Sequence, residues 1–306
     1  MSRAHQKAAL IAHGGAGAAG PAAERPERQR VMLAAVRAGA AILKNGGRAL
    51  DAVIATVSVL ENHPLFNAGY GSVLNSAGQV EMDASVMEVN PGAPPRAGGV
   101  AALSRIRNPI KLARAVMEHS PHLLLVGAGA ERFARSAGIS LCRPEMMISP
   151  RARERRWIGG AKAKRGYGTV GAVAIDAHGS MAAATSTGGM SGKLPGRVED
   201  SAIIGAGTFA GPLGAASATG HGEAIILAGL CREAVDSLVK LSAPQAARNA
   251  IAGISQTAGA EAGIILVDRR GRIGYAHNAA MEVATFDPAH GLCHLRSPAT
   301  GPARQP

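Results

Sequence analysis

The sequence predicts an α+β protein, and three features of it carry that expectation. Apolar residues recur at helical spacing over 27–43 with arginines between them, while 169–187 and 263–278 each have the pattern strand, glycine-bearing turn, strand. Glycine is abundant, at 40 of 306 residues, and with 47% hydrophobic but only 3% aromatic residues the chain favours close backbone packing over a core of rings. The length is ample for a large buried core, and 18% charged residues is too few for a disordered chain.

The elements follow in order. Residues 8–12 are a short apolar run into His13-Gly14-Gly15-Ala16-Gly17, which predicts a buried strand entering a glycine-rich turn. Gly15, Gly17 and Gly20 match the G-x-G-x-x-G of a dinucleotide-dependent oxidoreductase. However, Pro21 and Pro26 delay the next helix, and no acid stands about 20 residues on, as that mechanism requires. The helix over 27–43 buries Val31, Ala34, Ala35, Ala38 and Ile42 and closes at Asn45-Gly46-Gly47. A second, more buried helix is expected over 51–62. Pro64 and Gly69 then break the period, so 60–70 is expected as an ordered loop. Strands are expected at 80–87, with Asp83 in the middle, and at 99–103, followed by helices near 110–117 and over 122–136.

The character changes at 150–167. Arg151, Arg153, Arg155, Arg156, Lys162, Lys164 and Arg165 face a single acid, Glu154, which concentrates half of the net charge of +12 in one segment. Aromatics and periodicity are nearly absent there, so a solvated flexible connector is expected rather than a nucleic-acid-binding arm. Beyond it come the hairpin of 169–176 and 180–187, a helix over 220–239, another over 245–251, and the hairpin of 263–268 and 272–278. The tail from Pro298 is expected to fray. Cys142, Cys231 and Cys293 are odd in number and form no CxxC pair, which predicts a reducing cytoplasm with neither disulfides nor a zinc ribbon. The N-terminal stretch is too interrupted for a signal peptide, and no apolar run reaches the roughly 18 residues of a membrane helix.

The chemistry gathers where the basic segment ends. Gly168 leaves its peptide open to attack by the Thr169 hydroxyl. Cleavage there makes Thr169 an N-terminus whose α-amine, with a pKa of roughly 7.7 to 8.0, can activate the hydroxyl of the same residue.

Around this junction stand Gly168-Thr169-Val170-Gly171-Ala172-Val173-Ala174, Ala184-Thr185-Ser186-Thr187-Gly188-Gly189-Met190 and Lys193-Leu194-Pro195-Gly196-Arg197-Val198-Glu199-Asp200. Thr219-Gly220-His221-Gly222-Glu223, the His13 to Gly17 run, Asn67-Ala68-Gly69 and Met82-Asp83-Ala84-Ser85-Val86-Met87 complete the set. In these motifs the chain resembles the plant-type asparaginase and isoaspartyl peptidase family of N-terminal-nucleophile hydrolases, over most of residues 8 to 280.

The resemblance implies a four-layer αββα sandwich that cuts itself into an α subunit, 1–168, and a β subunit, 169–306, which together form one structural domain and pair as (αβ)2. It implies Thr169 as nucleophile, Thr187, eighteen residues on, as its hydrogen-bond partner, and Thr219 with Gly220 as the oxyanion site. Arg197 and Asp200 match the groups that hold a substrate's free α-carboxylate and α-ammonium, with Gly222, Gly189 and Asn67 also at the substrate. Asn67 additionally stands where it can orient the Thr169 amine or a water. Backbone carbonyls of Leu60, Glu61, His63, Phe66, Ala68 and Tyr70 match a structural sodium site, and no cofactor is implied for the chemistry.

The implied substrate is a small molecule, L-asparagine or a β-aspartyl dipeptide, with neither nucleic acid nor membrane as partner. A glycosylasparaginase-like enzyme is the alternative within the fold. Departures are the arginine-rich segment before Gly168, His221 where some members carry a second Thr and where a side chain can touch the leaving group, and alanine in Asn278-Ala279-Ala280-Met281 where Thr is common.

Overall fold

The computed structural model describes residues 8–17, 21–154 and 168–297. Gly20, residues 155–167 of the basic segment and the tail from Pro298 lie outside the described residues.

The strands are β1 (Ala9–Gly17), β2 (Met82–Val89), β3 (Arg96–Leu103), β4 (Leu124–Val126), β5 (Val170–Ile175), β6 (Met181–Thr187), β7 (Thr208–Gly211), β8 (Gly214–Gly220), β9 (Ala262–Asp268), β10 (Ile273–His277), β11 (Ala280–Asp287) and β12 (Gly291–Ser297). The helices are α1 (Arg25–Lys44), α2 (Ala49–Glu61), α3 (Pro109–His119), α4 (Gly127–Ser136), α5 (Pro150–Glu154), α6 (Gly222–Ala228), α7 (Leu230–Ser237) and α8 (Ala243–Ala258). Among the described residues the strands form an eight-stranded sheet in the order β12-β11-β1-β5-β6-β2-β3-β4 and a four-stranded sheet in the order β10-β9-β8-β7.

Strand alternation builds four layers from these elements. In β1, Ala9 and Ile11 turn toward the smaller sheet and pack with Val173, Ala183, Ala215 and Ile265. Leu10 and Ala12 turn the other way, into a core with Met32 and Val36 of α1 and Leu50 and Val53 of α2. On the far side of the smaller sheet, Ala216, Ala218, Ile264 and Leu266 meet Ile225, Leu230, Val235 and Ile251 of α6 to α8. Both faces of the central strands are therefore buried, so VGAVAI and the Met181 to Ala184 part of MAAATST are apolar without alternation, and the Thr185, Ser186 and Thr187 that follow are buried as well. This is the αββα sandwich that the resemblance implies.

Several local expectations are corrected. The run from His13 to Gly17 continues β1 through a register shift between His13 and Ala16 rather than turning toward a helix, which removes the dinucleotide-loop geometry. The segment 122–136 begins as β4, paired parallel to β3, and becomes helical only at Gly127. The helix expected over 220–239 breaks at Gly229, whose left-handed φ of 57° ends α6 and whose N–H closes onto Ile225 and Ile226 carbonyls. The hairpin β7–β8 and the strands β11 and β12 were not legible. Residues 150–154 of the expected flexible connector form α5, with Arg151 forked onto the Glu24 carboxylate, one arm at 2.7 Å. Among the described residues no helix is long and apolar enough to cross a membrane.

The β5–β6 hairpin is fixed from its far end. The Asp176 carboxylate accepts from His178 N at 2.9 Å and Ser180 N at 3.0 Å, closing the turn, and its other oxygen accepts from Ala49 N at 2.9 Å at the start of α2. One side chain thus sets the hairpin register and ties it to the helical layer.

Candidate active site

That register brings two hydroxyls together. Val170 pairs with Ser186, so the next position outward places Thr169 beside Thr187, and Thr169 Oγ1 donates to Thr187 Oγ1 at 3.1 Å. Thr187 Oγ1 also accepts from Gly189 N at 3.0 Å and donates to Glu199 Oε2 at 3.3 Å. Thr169, Thr187 and Glu199 are all buried. Asp83 of β2 pairs opposite Thr187, and its carboxylate accepts from Ala102 N and Glu199 N, each at 2.9 Å, so the backbone of Glu199 is anchored to the same sheet. Burial raises the Asp83 pKa, and the Lys193 charge works against that rise.

Gly168 sits against the bulge of β1. A Cβ on Gly15 would fall 2.3 Å from the Gly168 carbonyl oxygen, and Gly15 already holds a φ of 99°, so only glycine fits this approach. A Cβ on Gly168 would fall 2.7 Å from both the Ala16 carbonyl and Thr219 Oγ1. Thr219 Oγ1 accepts from Ala16 N at 3.1 Å, which leaves its own hydrogen free to donate. Gly168, Thr169, Thr187, Gly189, Asn67 and Gly220 line one pocket, together with Ala16, Gly17, Met190, Glu199, His221 and Glu261.

The two ionic residues flank this pocket from behind Glu199. Arg197 donates from Nη1 to Glu199 Oε1 and, as a fork, from Nε and Nη2 to Glu223 at 2.7 and 2.8 Å. Its pKa is raised by these carboxylates against an opposing burial effect. Asp200 is fully buried and neither carboxylate oxygen has a partner among the described residues. Burial, together with the neighbouring Glu199 charge, pushes its pKa well above the usual carboxylate range. Gly222 supplies the space between the pair, since a Cβ there would fall 3.0 Å from Asp200 Oδ1 and 3.2 Å from Arg197 Nη2.

Asn67 spans the pocket floor. Its Nδ2 donates to the Gly189 carbonyl at 2.7 Å and its Oδ1 accepts from Val73 N at 3.0 Å, so both ends of the amide are committed to backbone. The loop it belongs to is packed closely on its own glycines. A Cβ on Gly71 would fall 1.9 Å from the Phe66 carbonyl oxygen and 2.8 Å from that of His63, and one on Gly69 would fall 2.4 Å from that of Glu61. Three carbonyl oxygens thus lie so close to these two positions that only glycine leaves room, and those of His63 and Phe66 also accept from Phe66 N at 3.2 Å and Ala68 N at 2.9 Å. Among the described residues no group of three or more His, Cys, Asp or Glu is placed to hold a metal.

Glu199 and Glu261 were not singled out from the sequence, nor was a buried polar layer one rung inside the pocket. There His13 Nε2 lies 3.0 Å from Ser217 Oγ, which lies 2.7 Å from Thr185 Oγ1. Thr185 and Ser217 stand two residues before Thr187 and Thr219, so strand alternation gave a signal that was available. Burial lowers the His13 pKa from 6.5 to about 3, with the Thr169 backbone partly opposing, so this imidazole is neutral at pH 7.

A family model described as Asparaginase matches residues 6–294. An isoaspartyl peptidase/L-asparaginase of Mus musculus is 45% identical over 272 residues, which span 86% of this chain and 82% of that protein. The Homo sapiens protein of the same name is 46% identical over 233 residues, 73% of this chain and 74% of its own. An isoaspartyl peptidase of Salmonella typhimurium is 40% identical over 293 residues, 89% and 93% of the two chains. With nearly the whole sandwich matched and the pocket motifs inside the matched region, the chain belongs to the asparaginase family.

Proposed function

We propose that this chain is a self-processing threonine amidohydrolase that hydrolyses β-aspartyl peptides, L-asparagine or both, and releases L-aspartate. The observation that carries this reading is the buried Thr169–Thr187 hydroxyl pair, at 3.1 Å, in one pocket with the Gly168 peptide. Cleavage after Gly168 gives an α subunit of 1–168 and a β subunit of 169–306. The freed Thr169 amine then takes the proton from its own hydroxyl, which attacks the substrate β-carbonyl while Thr187 holds Oγ1 in line. The Thr219 hydroxyl and the Gly220 N–H stabilise the oxyanion; losing one such donor typically costs about 10² to 10³ in rate. Collapse expels ammonia or an amino acid protonated by the Thr169 ammonium, and water then releases L-aspartate from the ester.

Arg197 takes the substrate α-carboxylate once Glu223 turns outward, and Asp200 takes the α-ammonium in the space kept by Gly222. An incoming ammonium supplies the partner that both Asp200 oxygens lack. Gly189, Asn67 and His221 line the same pocket, which supports placing the first two against the substrate and His221 by the leaving group. Two αβ units assemble as (αβ)2 in the cytoplasm. The test is ammonia release from L-asparagine and L-aspartate release from a β-aspartyl dipeptide, by protein whose chain beginning at Thr169 has been found by mass. Fully cleaved protein that turns over neither substrate sinks the reading.

We also propose that the loop of Leu60, Glu61, His63, Phe66, Ala68 and Tyr70 holds a structural sodium ion through its carbonyls, which steadies the floor residue Asn67. Exchanging sodium for choline at constant ionic strength is expected to lower Tm by several degrees, as loss of a native-state ligand does. An unchanged Tm removes the sodium.

A further inference from the structure

The proposed α-carboxylate clamp is already filled from within the chain. Glu199 holds Arg197 Nη1, and Glu223 holds Nε and Nη2. The two acids differ in how readily they leave. The Glu223 side chain is 51% exposed and can turn into water, whereas that of Glu199 is 5% exposed. Glu199 also has its backbone N–H on Asp83 and its second oxygen on the Thr187 hydroxyl. It lines the pocket with Thr169, so its charge lies between the clamp and the nucleophile.

We propose that Glu199 is a specificity-determining residue, whose carboxylate occupies the face of Arg197 nearest Thr187 and makes the site tolerate an uncharged α-amide as well as a free α-carboxylate. The inference rests on the β-aspartyl hydrolase reading and concerns what that site accepts. An α-carboxylate that displaces Glu223 takes Nε and Nη2, but then lies across one guanidinium from a second fixed carboxylate, and like charges brought together without water are costly. An α-amide oxygen accepts from the same donors without that repulsion, and the amide NH2 has Glu199 as an acceptor. The α-ammonium gains from both acids, Asp200 and Glu199. Affinity therefore comes mainly from the ammonium end of the substrate.

The experiment compares kcat and KM for L-asparagine and for its α-amide in cleaved wild type, Glu199→Gln and Glu199→Ala. Wild type is expected to have kcat/KM values for the two compounds within about tenfold, since the fixed charge offsets the carboxylate's advantage. Either variant is expected to prefer the free acid by about a hundredfold, chiefly through a lower KM for L-asparagine, because Arg197 then has one fewer internal partner. A wild-type preference for the free acid of a hundredfold or more overturns the proposal, as does a ratio that neither variant changes. The wild-type ratio decides by itself if the variants do not fold or cleave. Cleaved wild type that turns over neither compound overturns the hydrolase reading itself, a result distinct from turnover with the wrong preference.

Discussion

Thr169→Ala protein is expected to stay one chain of 30.9 kDa after incubation, while wild type yields fragments of about 17 and about 14 kDa, the smaller beginning at Thr169. Alanine removes the hydroxyl proposed to attack the Gly168 carbonyl, and it takes the Thr169 donor away from Thr187 Oγ1, which keeps only the Gly189 N–H. Aspartate release is expected to fall by roughly 10⁴-fold or more, the scale seen when a nucleophile is deleted from a preassembled site. Mass spectrometry of the intact protein and N-terminal sequencing read the first effect, and an ammonia assay reads the second. A variant that still splits at 168/169 places the nucleophile elsewhere.

Replacing Asp200 by asparagine is expected to stabilise the fold and cripple turnover together. The carboxylate is fully buried with no partner on either oxygen, so ionising it inside the sandwich is costly, and its pKa is raised accordingly. The sign follows from proton counts. Above pH 3.8, the ordinary value, the unfolded chain releases a proton that the folded protein retains. Folded wild type thus binds more protons over the window that opens near pH 3.8, and its stability contribution from Asp200 declines as pH rises through that window. Asparagine has no proton to lose, so the variant is expected to match wild type near pH 3 and to exceed it by a margin that grows as pH rises toward 7. kcat/KM is expected to drop by about a hundredfold, because the α-ammonium loses its charged acceptor. Thermal melts across pH and steady-state kinetics check both, and a variant less stable than wild type at pH 7 refutes the argument.

A carboxyl left unpartnered in a dry interior resists ionisation, so the protein is less stable above the ordinary carboxylate range until a cation supplies the missing partner.

Sequence by itself determined the elements whose residues interact locally. The helix α1 followed from spacing, and the hairpin β5–β6 followed from two apolar runs around Asp176, His178 and Gly179, with Thr169 and Thr187 expected side by side at its open end. The order of the motifs determined the family. Tertiary structure decided what depends on partners distant in the chain. That β1 continues past His13 to Gly17 follows from its neighbour β11, whose Met281 and Ala280 pair with Ala16 and Gly17 and supply a ladder that a glycine-rich run cannot supply for itself, while β5 pairs only as far as His13. The strands β7 and β8 were hidden for the same reason, since Gly, Ala and Thr state little until a sheet and a helical layer close on both faces. The electrostatics of the site were the least legible. Arg197, Glu199 and Asp200 are neighbours in sequence, yet Glu199 was passed over as part of a matched motif. Only the positions of Asp83, Thr187 and Glu223, brought from β2, β6 and α6, turn Glu199 onto Arg197 and leave Asp200 bare, because charge interactions are set by distance and burial, and a one-dimensional pattern records neither.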